Sequence, residues 1–212
     1  SILPKPLGEQ VQKTVDWMHS FRTDEKYLKT LSDIARAWVE QKCVKITYRS
    51  FEAQEASERI IEPYFIQPAA AGHSSYVVAY CQKVGEIRNF KIERIESIQI
   101  TQEKYTIPND FDANKYFDSS WGIIVEGEAK TIRLKFDAGI ARIFEETIWH
   151  PSQVLKRQKD GSLLMTLQVM DTVELYSWIL SWGERVEVLE PKELREDIIN
   201  TAEAMSKVYK KK

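Results

Sequence analysis

The stretch RIIEPYFIQPAAAGHSSYVVAYCQKVGEIRNFKIER, residues 59–94, decides the reading of this chain. Three short strand-like runs stand in it, separated by turn formers around Gly72 and at Gly85. Arg59 opens the first run, the tripeptide Ser75-Tyr76-Val77 opens the second, and Arg88, Lys91 and Arg94 punctuate the third. Pro63 is expected to end the first run or push it to a sheet edge. Residues 76–81 are apolar throughout, the pattern of a strand covered on both faces. Residues 87–100 predict one long bent strand or two. Arg88, Phe90, Ile92 and Arg94 have the same parity, so an unbroken strand would place both guanidinium groups on one face. Cations set among residues that build a β core call for a reason, and an anion-receptive surface supplies one.

Working outward, Val44, Ile46 and Tyr48 alternate with Lys45, Thr47 and Arg49, which predicts a half-buried strand before the opening stretch. Ahead of it, Tyr27, Leu28, Leu31, Ile34, Ala35, Trp38 and Val39 recur at helical spacing, predicting a helix over 24–41 with these residues inward. Residues 11–21 carry a looser helical set, and Pro4, Pro6 and Gly8 make residues 1–10 the end of a linker. Five short strands with tight turns in 42–104 predict a small antiparallel barrel. Residues 105–129, rich in turn formers, read as a connector. Beyond it the predicted order is β-α-β-β-α-β with a terminal helix beginning at Pro191, the order of a ferredoxin-like domain. The fold class expected is α+β: a barrel over 42–104 and a ferredoxin-like domain over 130–212, after a helical segment over 1–41.

Composition bounds the function. The chain has 212 residues, 43% hydrophobic and 29% charged, with a net charge of −2, so no whole-surface attraction to nucleic acid or anionic membrane is expected. Two cysteines, Cys43 and Cys81, stand inside apolar runs, which argues against a disulfide framework and for a reducing, cytoplasmic compartment. No apolar run approaches the roughly 20 residues that span a bilayer. The chain begins with Ser1, and more is expected upstream.

Catalysis is not indicated. His73 and Ser75 share a strand face without an acid to complete a triad. His19 and His150 have no zinc-ligand spacing with Cys43 or Cys81, and there is no phosphate-cradling Gly-rich loop. No cofactor or metal is expected. Glu145-Glu146 reads as a helix-surface pair, and Trp149, Trp178 and Trp182 read as core of the second domain.

The chain resembles the WYL-domain family of bacterial transcriptional regulators. The family's signature tripeptide falls at Ser75-Tyr76-Val77, where only Tyr76 is kept. The flanking match lies in Ile46-Thr47-Tyr48, Arg59 with Pro63, Val78-Ala79-Tyr80-Cys81, Arg88-Asn89-Phe90 and Glu93-Arg94-Ile95. The second half resembles the extension that often follows a WYL domain, in Trp149-His150-Pro151-Ser152-Gln153, Asp160-Gly161, residues 178–183 and residues 186–191. The resemblance implies an Sm-like barrel, an upstream winged helix-turn-helix that is absent from this chain, and a sensing role. The implied ligands are nucleotides, cyclic nucleotides or short single-stranded DNA. Ser75 in place of the signature Trp implies a hydrogen bond where the family would stack.

The ligand-binding residues expected are Tyr48, Arg59, His73, Ser75, Tyr76, Arg88 and Arg94, converging on one rim of the barrel. Guanidinium forks match phosphate oxygens, and Tyr stacks on bases. Three or four charge-assisted hydrogen bonds, at roughly 1.5–3 kcal/mol each, suffice for micromolar binding once association entropy is subtracted. The alternative is that the arginines pair with Glu58, Glu62, Glu86 or Glu93 and merely blunt sheet edges. Tyr76 is equally placed to be core, and Lys45, Arg49 and Lys91 form a solvated face or widen a single-strand track. The partners expected are a nucleotide or short single-stranded effector and a second copy of the chain, with operator DNA only through the missing winged helix; a dimerisation module without a small ligand is the rival reading.

Overall fold

The computed structural model describes residues 24–51, 53–68 and 74–210. They form two compact units, one ending at Phe111 and the other beginning at Asp112. Residues 1–23, including the expected linker and the looser helix, lie outside the described residues.

The first unit begins with helix α1, Glu25–Glu40. The Asp24 carboxylate accepts the Lys26 N–H at 2.9 Å, satisfying one of the donors a helix start leaves free. Gln41 ends the helix in the left-handed conformation at φ 52°, where its N–H reaches back to the carbonyls of Ala37 and Trp38. The buried stripe is Tyr27, Thr30, Ile34 and Ala37. This corrects the sequence reading at two positions. Leu28 and Val39 are 47% and 82% exposed, because the stripe that meets the sheet runs along the 27–30–34–37 line.

Five strands follow: β1 (Lys42–Tyr48), β2 (Ser57–Pro68), β3 (Ser75–Cys81), β4 (Glu86–Lys91) and β5 (Ile95–Lys104). They form one antiparallel sheet in the order β4-β3-β2-β1-β5. No ladder joins β4 to β5 among the described residues, so the sheet is open where a closed barrel was expected. A 3₁₀ turn, Ile92–Arg94, carries the chain from one open end to the other. Pro63 does not end its strand. The β1–β2 ladder runs only as far as Ile61, and β2 takes an irregular step between Pro63 and Phe65, so the missing N–H falls past that ladder at a bulge.

The sheet is apolar on both faces. Val44, Ile46, Tyr48, Ile61, Val77, Ala79, Cys81 and Phe90 meet α1 through Tyr27, Ile34 and Ala37 on one side. Cys43, Tyr64 and Tyr105, with Ile60, Tyr80 and Ile87, pack on the other. This is why β3 has no polar face.

The second unit holds a short helix α2 (Ala113–Phe117), β6 (Ala129–Phe136), α3 (Ala141–Glu145), β7 (Val154–Arg157), β8 (Leu163–Met170), α4 (Val173–Ser181), β9 (Val186–Glu190) and α5 (Lys192–Lys210). Its sheet is antiparallel in the order β7-β8-β6-β9. Gly161, at φ 82°, makes the β7–β8 turn, and Gly183, at φ 57°, follows the last turn of α4. The core centres on Phe136 and Phe144, stacked with centroids 3.7 Å apart, and Trp149, Trp178 and Trp182 pack round it.

Candidate functional site

Tyr48 is the residue of β1 paired with Ile95 at the start of β5. Its hydroxyl accepts the backbone N–H of Lys91, the last residue of β4, at 3.2 Å. One side chain thus bridges the two open ends of the sheet. We call this place the seam. The Tyr48 ring is buried, edge-on to Phe90 at 5.1 Å.

Other expected residues gather at the seam. Tyr76 is the ladder partner of Lys91 and is half-buried. Ser75, beside it, accepts a hydrogen bond from the Tyr27 hydroxyl of α1 at 2.8 Å. Arg94 lies in the 3₁₀ turn; its carbonyl accepts the Arg49 N–H at 3.2 Å, and its guanidinium lies over the Phe51 ring at 5.4 Å. Arg49 itself pairs with Glu96 at 2.5 Å. Helix α1 packs on this same turn.

Arg59 and Arg88 stand elsewhere. Arg59 is paired with Ile46, whereas Arg88 is paired with Ala79, which pairs in turn with Pro63. Counted along the ladders they are two strands and four residues apart, about 16 Å between Cα atoms. Arg88 is bound to Glu86 at 2.6 Å, and Arg59 donates to the Glu58 carbonyl at 3.0 Å. The shared face expected of Arg88 and Arg94 is not formed. Alternation stops at Lys91, where the 3₁₀ turn begins, so parity no longer relates the two residues. His73 lies outside the described residues.

Two open depressions lie on the sheet face away from α1. One, of about 440 Å³, is lined by Lys45, Glu58, Arg59, Ile60, Gln82 and Lys83. The other, of about 460 Å³, is lined by Glu62, Tyr64, Tyr80, Gly85, Glu86, Ile87 and Pro108. Sequence reasoning set Lys45 aside and did not single out Gln82 or Lys83. Only the strand register, which pairs Lys45 with Ile60 and brings the Gln82 N–H to the Ile60 carbonyl, places them beside Arg59. Burial pushes the Cys43 thiol up to about 11 and raises the Tyr64 phenol, so neither is ionised at neutral pH. No group of three or more His, Cys, Asp or Glu side chains suited to a metal ion occurs among the described residues. None of their helices is long and apolar enough to cross a membrane.

The fold and the seam describe a two-unit α+β protein whose first sheet carries cations at its edges. Residues 29–100 match the model of the WYL domain, and residues 128–206 match that of the WCX domain. The chain therefore carries a WYL domain followed by a WCX domain. It is 27% identical over 195 residues to an uncharacterized HTH-type transcriptional regulator, YobV, of Bacillus subtilis (strain 168), a match covering 91% of this chain and 58% of that protein. Among solved structures it is similar in fold to a CRISPR Cas-related protein, with a TM-score of 0.60 and 11% identity, over 86% of this chain and 52% of that one. Proteasome accessory factor B/C (PafBC) of Arthrobacter aurescens matches with a TM-score of 0.40 and 22% identity, over 82% of this chain and 26% of that one.

Proposed function

We propose that this chain is the ligand-sensing regulatory portion of a bacterial transcriptional regulator, non-catalytic and cytoplasmic. Its effector is phosphate-bearing: a nucleotide, a cyclic nucleotide or a short single-stranded nucleic acid. In this reading the order β4-β3-β2-β1-β5 is an opened Sm-like barrel and β7-β8-β6-β9 is a ferredoxin-like sheet. The domains run over 42–104 and 130–212, with 105–129 between them.

What supports the proposal is that Ser75 and Tyr76 stand beside the end of β4 and Arg94 in the turn that follows it, with α1 hydrogen-bonded to Ser75 and packed on that turn. A phosphate drawn to Arg94 competes with the Phe51 ring for the guanidinium. A base stacked on Tyr76 bears on β3 from the face opposite the Tyr27–Ser75 contact and so acts on that contact through the strand. Binding there is therefore coupled to the position of α1, and an effector acts through its differential affinity for two arrangements of that helix. Tyr48 holds the seam from within. Arg59 and Arg88, about 16 Å apart between Cα atoms, are too far from each other to share one phosphate and would serve the length of an oligonucleotide; His73 belongs to the same proposal.

Calorimetry with short oligonucleotides and cyclic dinucleotides tests the reading. Arg94→Ala should weaken binding by at least about tenfold, the loss of one charge-assisted hydrogen bond. Arg88→Ala should weaken only the oligonucleotide. Unaltered binding in both variants removes the assignment.

A second role has its own support. Helix α5 exposes Ile199, Met205, Val208 and Tyr209, and its charges of both signs are mixed along its length. Met205, Val208 and Tyr209 lie within one arc of about 100° on the helix, so two copies of α5 packed through that arc would cover them, which favours a homodimer. Met205→Glu should then shift the sedimentation coefficient to that of a monomer; an unchanged coefficient excludes this face.

A further inference from the structure

The two depressions on the far face of the first sheet are neighbours, and their chemistry is opposite. Ile60 and Glu62 are two residues apart on β2, about 7 Å along the strand, and one belongs to each depression. Gln82 stands between them and donates to the Glu62 carboxylate at 3.1 Å.

The first depression offers three cations, Lys45, Arg59 and Lys83, against one carboxylate, Glu58. Lys45 is tied to Glu58 at 2.7 Å, and Arg59 is held by the Glu58 carbonyl through Nη1. Lys83 makes no ion pair among the described residues. The excess positive charge is therefore carried by Lys83 and by Arg59, which leaves β2 on the face of Ile46 and Ile61 and lines the rim of the depression beside Ile60. That set suits a phosphate and repels a cation.

The second depression has a flat apolar wall, Tyr80 with Ile87 and Pro108, and two carboxylates. Glu86 is already spent on Arg88. Glu62 has one neutral partner, Gln82, and keeps acceptor capacity for a donor lying on the Tyr80 ring. An aromatic face beside a free carboxylate acceptor suits a flat ring that bears an amino group.

We propose that this face is a two-lobed site for a mononucleotide whose base carries an exocyclic amino group. The phosphate sits on Arg59 and Lys83, and the base lies against Tyr80 and Ile87 with its amine donating to Glu62. The proposal deepens the effector reading above by giving the ligand class a second place on the same unit. It shares only Arg59 with that reading, and it stands or falls separately from the seam.

The test is titration of the whole chain with AMP, UMP and inorganic phosphate, followed by calorimetry or amide shifts. AMP is expected to bind at least about fivefold more tightly than UMP, which lacks the exocyclic amine. Lys83→Glu, at an exposed turn, should weaken AMP and phosphate alike by at least about tenfold. Tyr80→Leu should weaken AMP by about fivefold or more and leave phosphate unchanged, with the melting temperature confirming the fold. Equal affinity for AMP and UMP, or AMP binding indifferent to Lys83→Glu, overturns the proposal. AMP binding lost in Arg94→Ala and kept in Lys83→Glu also overturns it, while leaving the seam reading intact.

Discussion

The hydroxyl of Tyr48 and the backbone N–H of Lys91 are joined across the open ends of the first sheet at 3.2 Å. Among the described residues no ladder joins β4 to β5, and this side chain of β1, paired with the start of β5, reaches the end of β4. Tyr48→Phe keeps the ring against Phe90 and removes only the acceptor. The expected cost is about 1 kcal/mol in urea unfolding, with faster amide exchange localised to residues 91–95. Unchanged exchange at residues 91–95 would show that the ring, and not the hydroxyl, holds the seam.

In the second unit, Glu174 in the first turn of α4 accepts the N–H groups of Ile123 and Ile124 at 3.1 and 2.8 Å. It is the anchor of the turn that leads toward β6. Glu174→Ala should cost about 2 kcal/mol, since two charge-assisted bonds are lost. The neighbouring Gly122 supplies a control. A Cβ there would come within 2.7 Å of the Glu174 carboxylate, so Gly122→Ala should destabilise the native chain and be nearly neutral in the Glu174→Ala background. Additive losses would mean that Gly122 matters for its backbone alone.

Much of this architecture is legible in the residues, and the misreadings share a cause. The alternation at 44–48 and the apolar run at 76–81 report burial, which a single strand encodes in its own sequence. Arg94 was placed beside Arg88 because Ile92-Glu93-Arg94 continues the alternating pattern; a 3₁₀ turn of three residues leaves no mark that periodicity can read. The same holds for Pro63, whose tolerance depends on where the β1 ladder stops. Lys45 and Lys83 meet Arg59 only through register between strands, and register is a property of pairs. Local pattern therefore found the elements and the basic residues, while their grouping into a seam and a far face is tertiary.

His150 is 4% exposed, its Nδ1 accepting the Ser152 N–H at 3.1 Å, with the Trp121 ring stacked near it. Burial holds its pKa below the ordinary 6.5, with hydrogen bonds to the carbonyls of Ser120 and Asp118 opposing in part. The unfolded chain thus takes up this proton more readily than the folded one. Stability from the neutral ring is full above about pH 6.5 and is lost as pH falls from there through the lower folded value. Urea midpoints measured from pH 7.5 to 5 should fall in the native chain. They should fall less steeply in His150→Asn, and parallel slopes would acquit His150.

The Tyr27–Ser75 hydrogen bond is the direct polar tie between α1 and the position where the family's signature tripeptide begins. If α1 responds to what the seam holds, the energy of that tie must depend on the ligand. A double-mutant cycle of Tyr27→Phe and Ser75→Ala should give a coupling of about 0.5–1.5 kcal/mol in the free protein, the range for one net hydrogen bond. A ligand that inserts beside Tyr76 should bring the coupling toward zero, and one that closes α1 on the sheet should raise it. Either change shows that the seam and the helix are energetically one device. A coupling equal with and without saturating ligand would show that Ser75 only anchors the helix, and that the signal leaves the sheet by another route.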